Sequence, residues 1–318
     1  MTSTLKWAKI CPPWRGSLQN ELSGTVLWNE PMRRHTTFKI GGPADAIIIP
    51  SNETNLQHIL KIASQNQIPV TVIGNGSNLL VSDSGIDGII IKISGCFNNV
   101  TIQDRKIIAG AGCYLSRLTK LTADFGLSGL EFAAGIPGTV GGAVVTNAGT
   151  HEMEIGNFIT KIRAMNYDGE LIELSKEELK FGYRYTALQE RDVIVLNVEM
   201  ELLKGDRKEI KKKIKMHLER RKKKQPLNFH SAGSVFKNPP NDYAGRLIEA
   251  CGCKGMRVGD AEVSKLHANF IVNCGNARAN DVLKLMTKIR ETVFQKYGIE
   301  LEPEIKIIGR GIIWKKLG

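Results

Sequence analysis

Long apolar runs are missing from this 318-residue chain. Nowhere do about eighteen apolar residues follow one another, which argues against a membrane-spanning helix, and the first residues carry Lys6 and Lys9 without the apolar core of a secretory signal. Paired cysteine motifs are missing too. The six cysteines, at positions 11, 96, 113, 251, 253 and 274, form no CxxC and join no His/Cys cluster of zinc-type spacing, so no metal site is expected and free thiols in a reducing cytoplasm are the simplest account. The two commonest nucleotide fingerprints also fail. After Gly74-Asn75-Gly76 the Rossmann pattern needs glycine where Leu79 stands, and no GK[ST] follows as a P-loop requires. A G-x-S-x-G nucleophile elbow is absent, which leaves no serine-hydrolase logic.

Charge of one sign is plentiful but local. The net charge is +12, and residues 207–224 hold eleven Lys/Arg against only Glu209 and Glu219. Within that run Ile210, Ile214 and Leu218 recur every fourth residue, so the spacing predicts a helix with one apolar stripe and solvated cationic faces. Aromatic residues make up 6% of the chain and none interleaves with the basic run, so the stacking platforms of a nucleic-acid partner are missing. The expected partner of the helix end is instead a small anionic molecule.

The length favours two or three domains, and 42% hydrophobic content suffices for real cores. After a loose start with Pro12, Pro13 and Gly16, order is expected from about Leu27. Ala46–Pro50 reads as a buried strand; Asn52 caps a helix in which Leu56, Ile59, Leu60 and Ile62 share a face; Val70–Gly74 returns as a strand. Further strands are predicted at 88–93, 106–110, 157–166 and 192–203, and a helix at 114–124. Past Gln225 and Pro226 the pattern resets to a strand at 234–237, helices near 242–250 and 280–297, and an alternating final strand over 299–308. This is an α+β chain rather than a regular doubly wound alternation.

Several stretches carry chemistry. Gly74–Asn78 ends a predicted strand, and its glycines let backbone amides cradle phosphate; an ordinary tight turn fits equally. Gly135-Ile136-Pro137-Gly138-Thr139, then Gly141-Gly142, then Asn147-Ala148-Gly149 form a second small-residue stretch, against which a flat cofactor can lie or a second backbone can pack. Two such loops sixty residues apart favour a long, two-ended ligand such as a dinucleotide. Phe181–Thr186 sets aromatic rings around Arg184, whose guanidinium is suited to a carboxylate; a purely structural arginine is the competing reading. Ser231–Pro239 offers two hydroxyls around Gly233, with Ser234 reading as a proton donor or as an exposed turn serine. Glu304 is placed at the start of the last strand.

In this order the pieces resemble the UDP-N-acetylenolpyruvoylglucosamine reductase family, within the flavoproteins that share the vanillyl-alcohol-oxidase type of FAD domain. The resemblance rests on HTTFKIGG at 35–42, GNGSNLLV at 74–81, AGIPGTVGGAVVTNAG at 134–149, FGYRYT at 181–186, SAGSVFKNP at 231–239, VSKLHANFIVN at 263–273 and EPEIKIIG at 302–309. It implies an N-terminal extension over 1–27, an FAD domain over 28–205 in two lobes (about 28–80 and 81–205), a smaller α+β substrate domain over 206–303, and a strand and tail, 304–318, returning to the FAD domain.

The resemblance further implies non-covalent FAD held by Asn75, Gly76, Ser77 and Asn78 and by the stretch from Gly135 to Gly149, with NADPH as hydride donor and a UDP-sugar enolpyruvyl ether as substrate. Arg184 and Glu304 then meet the enolpyruvyl carboxylate, Glu304 orienting Arg184 or sharing a proton with the substrate, and Ser234 donates the proton. Lys224, Asn238, Lys265 and His267 bind the substrate. Only Ala187–Arg191 separates Thr186 from the next strand, which leaves no room for the tyrosine-bearing loop some members insert there. Two alternatives remain: another FAD oxidoreductase of the same fold acting on a hydroxy acid or alcohol, against which SAGSVFKNP argues, and a nucleotide- or RNA-binding module using the basic helix, which would purify colourless.

Overall fold

The computed structural model describes residues 14, 16, 24–150 and 153–314; Pro12 and Pro13 of the expected loose start lie outside them. In chain order, β1 (Gly24–Pro31) and β2 (Pro43–Pro50) precede α1 (Glu53–Gln65), β3 (Val70–Ile73), β4 (Leu79–Val81) and β5 (Ile86–Lys92). There follow β6 (Val100–Gln103), β7 (Lys106–Gly110), α2 (Leu115–Asp124), β8 (Leu127–Ser128), α3 (Val140–Val145), β9 (Ile159–Asn166), β10 (Leu171–Ser175), α4 (Lys176–Leu179), β11 (Val193–Glu201) and β12 (Leu203–Lys204). The basic helix α5 (Arg207–Lys224) leads to α6 (Ala244–Ala250), β13 (Arg257–Val258), β14 (Ala261–Val263), β15 (Ile271–Asn273), α7 (Ala279–Tyr297) and β16 (Lys306–Ile308).

The chain divides into two compact units, each assembled from discontinuous segments. One comprises the residues up to Asn29, Asp45–Gly74 and Gly88–Leu218; the other comprises Glu30–Ala44, Asn75–Asp87 and the chain from Glu219.

The first unit is built on a sheet of order β1-β2-β5-β3 and a five-stranded sheet of order β10-β9-β11-β7-β6. Helix α1 forms because Asn52 Oδ1 accepts the Asn55 amide at 2.8 Å, Glu53 sits in the positive first turn, and Leu56, Ile59, Leu60 and Ile62 all face the core. Its crossover delivers β3 parallel to β5, with Val70 opposite Ile89. The five-stranded sheet is antiparallel, and buried Ile107, Ala109, Ile162, Ala164 and Val198 line its core side. Arg163 on β9 reaches Glu53 with two short bonds of 2.5 and 2.7 Å, a bidentate pair between sheet and helix.

The second unit packs α6 and α7 with the β13-β14-β15 sheet around Leu247, Ile248, Val282, Leu285 and Met286. Phe38, Ile40 and Leu80, from the early segments, are fully part of that core, which is why those segments belong to this unit. The carboxylate of Asp83 accepts the Ala279 and Asn280 amides and so caps α7.

Three expectations need correction. The stretch 234–237 forms no ladder of its own: it is joined by single bridges, Ser234 to Phe270 and Phe236 to Pro303. Of the predicted final strand over 299–308, only Lys306–Ile308 forms a strand, pairing parallel with β4, because Pro303 cannot donate to a ladder. The basic helix forms over the expected residues, but its apolar stripe is buried only at Ile210, while Leu218 is exposed.

Candidate functional site

In the first unit, the two glycine-rich stretches meet. A Cβ on Gly74 would lie 2.3 Å from Thr139 Oγ1, so only glycine permits this approach. Thr139 is buried and caps α3, its hydroxyl accepting the Gly142 amide at 3.4 Å. The amides of Val140 and Gly141 are already spent on the carbonyls of Cys113 and Ala111, and Gly141 is held by packing on Ala111. Gly135, Ile136, Pro137, Gly138, Gly142, Ala148 and Gly149 stay at least partly accessible.

Asn147, at φ 43°, is almost fully buried. Its amide nitrogen donates to Glu154 (2.6 Å) and to the Gly182 carbonyl (2.8 Å), and its oxygen accepts the Gly156 amide (3.1 Å). It therefore ties the end of the glycine-rich stretch to the turn that carries Arg184. That turn is closed by paired backbone bonds between Gly182 and Tyr185, with Arg184 at φ 54°. Arg184 Nη2 donates to the Gly149 carbonyl at 3.1 Å, and its guanidinium lies 5.2 Å from the Tyr183 ring. Tyr185 turns its hydroxyl to Glu190 at 2.8 Å. Thr186 Oγ1 and Gln189 Nε2 both donate to the Val145 carbonyl at the end of α3, anchoring the turn; sequence reading passed over both, since their partner lies about forty residues away. The segment from Thr186 to β11 is a short 3-10 turn, Ala187–Glu190, as the missing loop requires.

In the second unit, Gly76 adopts φ 63°, where a Cβ would strike the His35 carbonyl at 2.1 Å, and the Gly76 carbonyl accepts the Thr37 amide at 3.2 Å. The amides of Gly76 and Ser77 make no backbone hydrogen bond among the described residues, leaving a pair of donors of the kind that receives a phosphate. This glycine cradle fits the pyrophosphate of a dinucleotide cofactor.

Asn78 Nδ2 donates to the Glu304 carbonyl, and the Asn78 carbonyl accepts the Lys306 amide. The Glu304 amide in turn donates to the Val235 carbonyl at 2.8 Å, next to Ser234, and Thr37 Oγ1 donates to the Ser231 carbonyl at 2.8 Å. Asn78, Glu304 and the Val235 carbonyl are thus linked, and Thr37 holds the Ser231 carbonyl three residues before Ser234, while the Thr36 hydroxyl stays local on the Ile40 carbonyl.

Among the residues expected to bind substrate, Lys224 is the exposed last residue of α5 and Lys265 is also exposed. Asn238 Oδ1 accepts the Ala244 amide at the start of α6, and His267 packs beside Gly245 on that same first turn. The His267 ring accepts the Asn269 amide at Nδ1 (3.2 Å) and stands 4.8 Å from Phe270. Burial, then the Lys254 and Lys224 cations, push its pKa below the ordinary histidine value, so the ring is neutral at pH 7.

Residues 44–175 match an FAD binding domain, so the chain is an FAD-containing oxidoreductase of mixed α+β fold. Residues 225–308 match the UDP-N-acetylenolpyruvoylglucosamine reductase C-terminal domain. The UDP-N-acetylenolpyruvoylglucosamine reductase of Caldanaerobacter subterraneus subsp. tengcongensis is 47% identical over 286 residues, covering 90% of this chain and 94% of its own. That of Moorella thermoacetica is 46% identical over 297 residues, covering 93% and 98%. The crystal structure of UDP-N-acetylenolpyruvylglucosamine reductase from Thermus caldophilus superposes with a TM-score of 0.78 at 38% identity, covering 90% of this chain and 99% of that one. The chain belongs to the UDP-N-acetylenolpyruvoylglucosamine reductase family. Among the described residues no helix is long and apolar enough to cross a membrane.

Proposed function

We propose that this chain reduces UDP-N-acetylglucosamine enolpyruvate to UDP-N-acetylmuramate with NADPH, in the cytoplasmic stage of peptidoglycan synthesis. The observation that carries the reading is the 47% identity to a reductase of that name over 90% of the chain. Bound FAD would supply the hydride chemistry, with NADPH as the reductant. Asn75–Asn78 and Gly135–Gly149 would hold it, without a covalent bond.

Charge that develops toward the enolpyruvyl carboxylate is stabilised by the Arg184 guanidinium, preset by the Gly149 carbonyl and the Tyr183 ring. Ser234 delivers the proton to the carbon beside that carboxylate. Glu304 shares a proton with the carboxylate, which removes the repulsion between two anions. Lys224, Asn238, Lys265 and His267 hold the UDP-sugar, and a neutral His267 acts there as a hydrogen-bonding group. We assign the cofactor to 28–205 and the substrate to 206–303, although the compact units divide the chain differently, with 30–44 and 75–87 joining the C-terminal segments; the strand at Lys306–Ile308 runs back to Leu79–Val81. The basic helix serves small anions and not nucleic acid.

The test is optical. Purified protein should be yellow, bleach on anaerobic addition of NADPH, and recover its colour when the enolpyruvyl UDP-sugar is added. A colourless protein, or a reduced flavin that this substrate leaves reduced, overturns the reading.

A further inference from the structure

Ser234 stands in a stretch that lacks the ladder a strand normally supplies, yet the stretch is held on both edges. On one edge Phe236 is bridged to Pro303, with the Glu304 amide donating to the Val235 carbonyl and the Lys237 amide to the Glu302 carbonyl, each at 2.8 Å. On the other edge Ser234 is bridged antiparallel to Phe270, and the Val235 amide donates to the Asn269 carbonyl at 2.8 Å. Continuing that register, Phe236 should pair with Ala268. It does not, because the chain bends away there: the Phe270 amide returns to the His267 carbonyl, and the Leu266 and His267 amides bond Ser264 Oγ.

The missing partner is replaced by a side chain. Asn269 Oδ1 accepts the Phe236 amide at 3.0 Å, and Asn269 Nδ2 donates to the Phe236 carbonyl at 2.8 Å. A carboxamide carries one acceptor and one donor face, as a peptide group does, so asparagine can complete a ladder rung that backbone cannot. Asn269 is 4% exposed and packs inside the unit, so its amide is fixed and water is kept from the rung.

We infer that Asn269 is a positioning residue for the proton donor: its side chain closes the last rung of the sheet and thereby fixes the backbone from which Ser234 presents its hydroxyl. The inference rests on the proposed function. Backbone carbonyl and side chain of this one residue together grip positions 235 and 236, directly after Ser234, while Glu304 grips 235 from the opposite edge. The Asn269 side chain makes its hydrogen bonds to the ribbon and acts on the reaction only through it, whereas the backbone amide, which the substitutions below leave in place, holds the His267 ring. Loosening the rung lets Ser234 sample orientations that miss the substrate carbon, a loss felt in proton delivery and not in flavin reduction by NADPH.

The experiment is a double-substitution cycle followed by stopped-flow absorbance. Asn269→Ala should leave flavin reduction by NADPH within about twofold of the parent and slow reoxidation by the enolpyruvyl UDP-sugar at least about tenfold. In a Ser234→Ala background the same change should add almost nothing, because the group it positions is gone. Asn269→Asp keeps the size and the acceptor but loses the donor, and should fall between Asn269→Ala and the parent; it also serves if Asn269→Ala does not yield flavin-loaded protein. A full additional loss from the asparagine change when Ser234 is already absent, or equal slowing of both half-reactions by Asn269→Asp, overturns the inference. Failure of the parent itself to be bleached by NADPH and reoxidised by this substrate overturns the underlying functional reading instead.

Discussion

Ser231 and Ser234 are three residues apart with similar chemistry, and their surroundings separate them. Ser231 has its carbonyl engaged by Thr37, and Gly233 at φ 83° redirects the chain before Ser234 joins the bridge to Phe270. A donor of a proton to carbon is idle while NADPH reduces the flavin, so Ser234→Ala should leave that half-reaction at about the parent rate. Reoxidation by substrate should slow at least ~10²-fold, the effect typical of losing a general acid. Ser231→Ala should change neither half by more than a few-fold; the reverse pattern, followed by stopped-flow absorbance, would show that the serines are misassigned. At this scale Ser234 and Arg184 were visible as candidates because their motifs are contiguous. Asn269, Thr37, Thr186 and Gln189 were not, because each finds its partner far along the chain and a one-dimensional pattern holds no record of that pairing.

The basic helix shows what periodicity can and cannot say about an element. Its four-residue recurrence set the helix correctly, and tertiary context decided that only Ile210 would be covered. Most of its cations are exposed, and Lys212 pairs weakly with Glu209 at 3.6 Å, both well solvated. Such exposed pairs contribute about 0–1 kcal/mol, whereas a desolvated ammonium on a phosphate contributes roughly 1.5–3 kcal/mol. Lys224→Ala should therefore raise the KM for the UDP-sugar about tenfold or more, and Lys212→Ala should leave it within about twofold. Steady-state kinetics of the two variants decide it: equal effects would return the whole run to a solvated face. The 234–237 stretch is the opposite case. Its residues read as a strand, and it is held as one, but by two single bridges and a side chain, which no propensity scale anticipates.

For the molecule as a whole, the mode of cofactor attachment is the property most open to a direct check. No His or Cys lies within 74–81 or 134–149. Cys113, the nearest thiol in sequence to the second loop, is buried, and burial raises its pKa, which keeps it protonated and a poor nucleophile. His35 Nε2 is engaged with Glu30 at 3.2 Å. Acid precipitation should release all flavin to the supernatant, measured by its visible absorbance. Colour retained in the pellet would mean a covalent bond, with His35 and Cys113 the first positions to examine by peptide mass.

The sequence by itself determined the local events: the Asn52-capped helix, the β5, β7, β9 and β11 strands, the long α7, and the glycine-rich loops, because each depends on neighbours within a few turns of chain. It also carried the family through motifs that are contiguous. Only the tertiary structure decided that 30–44 and 75–87 join the C-terminal unit, since Phe38, Ile40 and Leu80 bury their surface in a core made two hundred residues later. It alone decided that the segment after Glu302 would pair with β4 for three residues and otherwise serve as one edge of the Ser234 ribbon. Burial and hydrogen-bond satisfaction are settled among segments that meet only after folding, and the pairing that satisfies them is not written at either position alone.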